Sequence, residues 1–109
     1  MQFDLAVIGG GPGGYVAAIR GSQLGLGVAL IEKENVGGVC LNRGCIPSKA
    51  IIHAADLAFE IKSASKIGIT AKEVSVDFPK VIAWKDRIVK KLTMGIAQLV
   101  KGNGGEIIT

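Results

Sequence analysis

The chain has 109 residues, 49% apolar and 20% charged, with a net charge of +4 from 13 Lys and Arg against nine Asp and Glu. That length suits one small domain, and an apolar share of this size with interspersed charges excludes a disordered chain. The 16 glycines follow no three-residue period, which excludes collagen-like order, and the longest uncharged run, Leu5 to Ile19, is too rich in glycine for a membrane span.

Phe3 to Ile8 is an apolar, partly β-branched run ending in glycines, which predicts a buried strand. Pro12 to Leu24 predicts a helix with Val16, Ile19 and Leu24 at helical spacing and Gly25 near its end. Val28 to Glu32 predicts a second buried strand, so the opening is a β-α-β unit with parallel strands. A helix is expected from about Ser48 to Ile61, with Ile51, Ala54, Ala55, Ala58 and Ile61 on its apolar side. Residues 63–76 read as an irregular connection. Asp77 then offers an N-cap, with Pro79 in the first turn of a long amphipathic helix that runs through Val81, Ile88, Leu92 and Ile96 and stops at Gly102 to Gly105. Glu106 to Thr109 begins a third strand. A strand cut at its start leads to the expectation that this chain is a piece of a larger one.

The cations do not gather into a patch. The densest group, Lys85, Arg87, Lys90 and Lys91, contains Asp86 and has only Trp84 as an aromatic neighbour. It reads as a solvated helix face, so no nucleic-acid partner is expected. Met1-Gln2-Phe3-Asp4 has no basic region ahead of its apolar stretch. The expected compartment is therefore the cytoplasm, with no membrane partner.

Two motifs carry chemistry. Gly9-x-Gly11-x-x-Gly14 lies between the first strand and the first helix. There Gly9 allows a tight turn, Gly11 a close backbone approach to a pyrophosphate, and Gly14 close packing of helix on strand. The helix N-terminus offers free N–H groups and a positive dipole end. Ala18 and Gly25 are expected to extend the small-residue flank that faces the strands. Glu32 ends the second strand, where an acid accepts hydrogen bonds from ribose hydroxyls. These features indicate an ADP-containing dinucleotide and do not separate FAD from NAD.

The second motif is Gly37-Gly38-Val39-Cys40-Leu41-Asn42-Arg43-Gly44-Cys45-Ile46-Pro47-Ser48-Lys49, which holds both cysteines. A zinc site needs about four ligands, and the only histidine, His53, sits on a helix with no second cysteine pair to join it. No metal is expected. A structural staple closing so short a loop removes little chain entropy and is out of place in a reducing compartment. A redox-active dithiol is the favoured reading of the pair. Residues five apart on a regular helix lie roughly 8–9 Å apart, beyond the reach of a disulfide. Bridging therefore demands a distorted turn, which Gly44 and Pro47 would allow.

With both motifs in one chain, the sequence resembles the FAD-dependent pyridine nucleotide–disulfide oxidoreductases along its whole length, as their N-terminal segment. The resemblance rests on Gly9-x-Gly11-x-x-Gly14 with Ala18 and Gly25, on Glu32, and on Gly37-Gly38-x-Cys40-x4-Cys45-x-Pro47-Ser48-Lys49. Leu41-Asn42 and Ile46-Pro47-Ser48-Lys49 most resemble the branch that oxidises dihydrolipoyl groups. A branch acting on mercuric ion shares the Pro-Ser-Lys ending. The resemblance implies an α/β, incomplete Rossmann-like FAD-binding domain made of β-α-β, a redox-disulfide helix, a long helix and a third parallel strand. Residues 1–109 would be its N-terminal part, with the NAD-binding and dimerisation domains outside this chain.

Carried over by position, Gly9, Gly11, Pro12, Gly13 and Gly14 would hold the FAD pyrophosphate and Glu32 the adenosine ribose, with Lys33 also among the cofactor-binding residues. Gly37, Gly38, Val39 and Cys40 would line the phosphate and flavin side, and Lys49 would lie near the flavin. Cys40 would be the thiol that exchanges with substrate, and Cys45 the thiolate beneath the flavin. Val39 departs from the family's usual Thr, which removes a hydroxyl contact to the phosphates. His53 matches no catalytic histidine of the family and reads as a solvated helix residue. The implied reaction passes electrons from a dihydrolipoyl group on a lipoyl domain through the cysteines and FAD to NAD⁺, in a homodimer. Two further readings stand beside it: a family member acting on mercuric ion or another disulfide, and a free-standing small thiol or dinucleotide-binding module. The 109 residues alone are expected to be inactive and to retain FAD poorly.

Overall fold

A computed structural model describes all 109 residues. The elements are β1 (Leu5–Ile8), α1 (Pro12–Gln23), β2 (Val28–Ile31), α2 (Gly38–Arg43), α3 (Cys45–Ser63), a short 3-10 turn (Ala64–Ile67), α4 (Phe78–Gly102) and β3 (Glu106–Ile108). The three strands form one parallel sheet in the order β1-β2-β3, with Leu5 opposite Val28 and Leu30 opposite Ile107. The expected β-α-β unit, long helix and third parallel strand are all present.

Alternation along the strands decides which face is buried. Leu5, Val7, Val28, Leu30 and Ile107 share the face that meets α1 and the end of α4. There Ala18, Val28, Leu30, Val36 and Val100 form the core, all 5% exposed or less. Gly21 makes the close fit of α1 possible, since a Cβ there would stand 3.1 Å from both Leu5 and Val28 side chains. Gly25 does not extend that flank. It lies beyond the helix in a turn with φ +86°, so Ala18 and Gly21 are the residues that let helix and strands approach. The opposite sheet face carries Ala6, Ile8, Ile31 and Ile108, and Ile8 is 87% exposed.

α3 and α4 lie side by side in opposite directions. Ala58 and Lys62 of α3 meet Phe78 and Val81 of α4 around one groove, and the rings of His53 and Trp84 lie 6.2 Å apart. Asp77 caps α4 as expected, its carboxylate accepting from the Lys80 N–H at 3.2 Å. Because this helical pair projects from the sheet, the molecule measures 65 × 23 × 18 Å, with a radius of gyration of 19.7 Å. A compact chain of this length would have about 13 Å. No helix is long and apolar enough to cross a membrane.

The helix predicted from Ser48 begins instead at Cys45, and a separate six-residue helix, α2, precedes it. Pro47 takes no part in the distortion. It occupies the first turn of α3, where the missing N–H costs nothing.

Candidate functional site

The two motifs meet at a crossing of glycine turns. Gly9 N–H donates to Ile31 O at 2.8 Å, and Gly37 N–H donates to Gly10 O at 2.7 Å. The first bond continues the β1–β2 pairing, and the second lays the segment before α2 across the loop before α1. Gly38 has φ +81°, and a Cβ there would stand 2.9 Å from Pro12 Cδ and 3.1 Å from Gly11 Cα, so only glycine fits both the dihedral and the space. At Gly14 a Cβ would fall 1.7 Å from Gly9 O, which is the close packing of helix on turn that the sequence predicts.

The outer side of the first loop is open: a Cβ at Gly9 or Gly13 would meet no atom within 4 Å. No side chain caps the N-terminus of α1 at Gly11, so its first-turn N–H groups and positive dipole end suit a pyrophosphate. Glu32 stands just past β2, half-buried, with both oxygens engaged. Oε2 accepts from Gly10 N–H at 2.8 Å and Oε1 from Glu34 N–H at 3.0 Å. The Gly10 bond first, then the Glu34 bond, hold its carboxyl below the usual carboxylate range, aided by Lys33 and opposed by partial burial. A carboxylate has about four lone-pair sites, so capacity remains for the ribose hydroxyls expected there.

Glu32, Lys33, Gly38, Val39, Asn42 and Arg43 line one open cleft. The structure thus brings together the predicted acid, its lysine and the second glycine turn. Val39 is 75% exposed at the cleft. Glu34 and Arg43 form an ion pair across its rim, which at that exposure adds little to stability.

Cys40 and Cys45 form a disulfide with Cα atoms 4.9 Å apart, well under the spacing of a continuous helix. The helix breaks at Gly44 to achieve this. A Cβ on Gly44 would stand 3.0 Å from Cys40 Cα and 3.1 Å from Val39 O, so the bare backbone is what lets α3 close on α2. Cys40 is the third residue of α2 and exposed, while Cys45 is the first residue of α3 and half-buried. Lys49 is exposed one turn farther along α3 and makes no ion pair. His53 is exposed and stands against Trp84.

Three contributors escape a reading of the sequence. Gly10 occupies an unspecified position of the loop motif, yet its N–H reaches Glu32 across 22 residues. Gly21 carries no motif at all. Asn42 stands in the Leu41-Asn42 pair that carries the resemblance, but nothing in that pair reveals that it donates to Gly38 O at 2.9 Å and to Val36 O at 3.3 Å.

A profile of the family described as pyridine nucleotide-disulphide oxidoreductase matches residues 3–109. The chain belongs to that family. Among its relatives, a dihydrolipoyl dehydrogenase of Thermus scotoductus is 56% identical over 106 residues, 97% of this chain and 23% of the relative. One of Geobacillus stearothermophilus is 53% identical over 108 residues, 99% of this chain and 23% of the relative. Dihydrolipoyl dehydrogenase 2 of Haloarcula marismortui is 50% identical over 105 residues, 96% of this chain and 22% of the relative. The chain therefore spans about a quarter of the length of the curated relatives it matches. The Cys40–Cys45 disulfide agrees with the word disulphide in that family's description.

Proposed function

We propose that the protein of which these residues form part is a dihydrolipoyl dehydrogenase, oxidising dihydrolipoyl groups and reducing NAD⁺. The observation that carries this reading is the Cys40–Cys45 disulfide at the root of α3, next to the crossing of Gly38 on Gly11. The named relatives, at 50–56% identity, support the choice of substrate. Residues 1–109 are the N-terminal part of the FAD-binding domain in this reading. The partner is a lipoyl group on a lipoyl domain, the assembly a homodimer, and the compartment the cytoplasm.

The residues present fit FAD. The uncapped start of α1 and the open side of Gly9 to Gly14 take the pyrophosphate, Glu32 takes the adenosine ribose, and Gly38 and Val39 continue the cleft towards the cysteines. When bound, FAD supplies a two-electron carrier able to exchange with both a dithiol and a nicotinamide.

The chain's own part in the reaction is thiol–disulfide exchange. A thiolate of the dihydrolipoyl group attacks the exposed Cys40 Sγ, the Cys40–Cys45 bond breaks, and its electron pair leaves on Cys45 Sγ. Cys45 is the first residue of a 19-residue helix, whose positive dipole end stabilises that thiolate and makes it the better leaving group. The second substrate thiolate then attacks the substrate's own sulfur in the mixed disulfide, which closes the lipoyl ring and frees the Cys40 thiolate. The protein gains the two electrons that the lipoyl group loses.

The test is to purify the full-length gene product and follow NADH formation from dihydrolipoamide and NAD⁺. Turnover by a flavin-containing protein, abolished by Cys40→Ser and by Cys45→Ser, is the expected result. A flavin-free protein, or one inert towards dihydrolipoamide, would overturn the reading.

A further inference from the structure

Asn42 lies between the cysteines, two residues after Cys40 and three before Cys45. Its Nδ2 group donates to Gly38 O at 2.9 Å and Val36 O at 3.3 Å. Those carbonyls bracket Gly37 and Gly38, whose φ values are +116° and +81°. From the other side, Gly37 N–H is bonded to Gly10 O at 2.7 Å. The turn that starts α2 is thus held by the glycine loop on one side and by one carboxamide on the other. A carboxamide NH₂ has the two donors this requires.

α2 has only six residues, too few to hold a helical shape by themselves. Its far end is the break at Gly44. In the disulfide form a covalent bond at Cys40 ties α2 to α3 as well. Reduction adds two electrons and two protons to that bond, leaves two thiols, and removes the tie. The Asn42 bonds, the Gly37–Gly10 bond and the buried Leu41 side chain then remain to hold α2.

We infer that Asn42 is a positioning residue of the redox pair: it holds Cys40 beside Cys45 in the dithiol state, so that closure to the disulfide stays favourable. This rests on the reading of the pair as redox-active. A clamp on the dithiol raises the effective concentration of one sulfur at the other. Its loss frees the dithiol more than the disulfide, which keeps its covalent restraint.

The test uses the FAD-loaded full-length protein and its Asn42→Ala and Asn42→Asp variants. Asp keeps the shape and removes both donors. Each protein is equilibrated without oxygen in graded mixtures of reduced and oxidised dithiothreitol, quenched and alkylated, and the peptide bearing Cys40 and Cys45 is weighed. Dithiothreitol supplies the two electrons and two protons and closes to its cyclic disulfide. Both variants are expected to form the disulfide with an equilibrium constant roughly three- to tenfold smaller than the parent, the scale of a hydrogen-bond loss. Constants within twofold of the parent would overturn the inference. A role limited to general stability would lower the melting temperature of both redox forms equally and leave this constant unmoved.

Hydrogen exchange on the unsubstituted protein covers the case in which the variants do not load FAD. On reduction, the amides of Leu41 and Asn42 should stay protected while those of Ser48 and Lys49 exchange faster. Loss of protection throughout α2 would equally overturn the inference. Neither readout requires dihydrolipoamide. A protein inert to that substrate yet showing the shift would defeat the proposed function and leave the clamp standing.

Discussion

Glu32 ties the glycine loop to the turn after β2 through one carboxylate. It takes N–H bonds from Gly10 and Glu34 while standing at the end of β2. Glu32→Gln replaces a two-sided acceptor with a group whose NH₂ must face one of those donors. Charge-assisted bonds of this kind are worth about 1.5–3 kcal/mol, so the dissociation constant for FAD should rise about tenfold or more in a fluorescence titration of the full-length protein. The pH dependence has a definite sign. A carboxyl held below its ordinary value of 4.5 contributes fully above that pH and loses its contribution only as the pH falls through the lower folded value. FAD affinity should therefore be insensitive to this group from neutrality to about pH 5, and weaken on further acidification. Gly38→Ala attacks the same site from the backbone. It places a Cβ 2.9 Å from Pro12 at a φ of +81°, which costs roughly 1–2 kcal/mol in dihedral strain alone. The purified variant should carry less than about a tenth of the parent's flavin by absorbance, the steric displacement adding to that strain.

Among the elements, α4 is the one whose beginning is most dependent on a single side chain. Asp77→Ala removes the acceptor of the Lys80 N–H and should lower stability in urea denaturation by about 1 kcal/mol. This cap was legible in the sequence, as were α1, β2 and the length of α4, because apolar spacing and end signals are local properties of the chain. The glycine loop and Glu32 were legible for a related reason: their order along a β-α-β unit fixes their places. α2 was not. Its six residues carry no period long enough to read, and its existence depends on Gly37 bonding to Gly10 and on Asn42 reaching back to Val36 and Gly38. The need for a distorted turn between the cysteines could be derived from helix dimensions. Its location at Gly44 alone, with Pro47 as an ordinary first-turn proline, required knowledge of how closely Gly44 approaches Cys40. Gly21 was invisible because its partners, Leu5 and Val28, come from separate strands.

For the molecule as a whole, only 12 of 109 residues are buried, and the exposed set includes Ile8 at 87%, Phe59 at 71% and Leu57 at 50%. Apolar surface on this scale marks contact surface. Expressed as these 109 residues, the chain should self-associate in a concentration-dependent way in sedimentation velocity, and Phe59→Lys with Leu57→Lys should reduce that association without melting the sheet, from which both residues are remote along α3. The charged outer side of the helical pair and the crossing at Gly11 and Gly38 also face different futures under mutation. An exposed lysine or glutamate there has many acceptable replacements. The crossing sets Gly38 against the Gly11 backbone as well as the Pro12 ring, so replacing Pro12 alone would leave the Gly11 contact and the left-handed φ unrelieved. Second-site repair is thereby closed off, and a lineage must inherit that crossing whole or lose it.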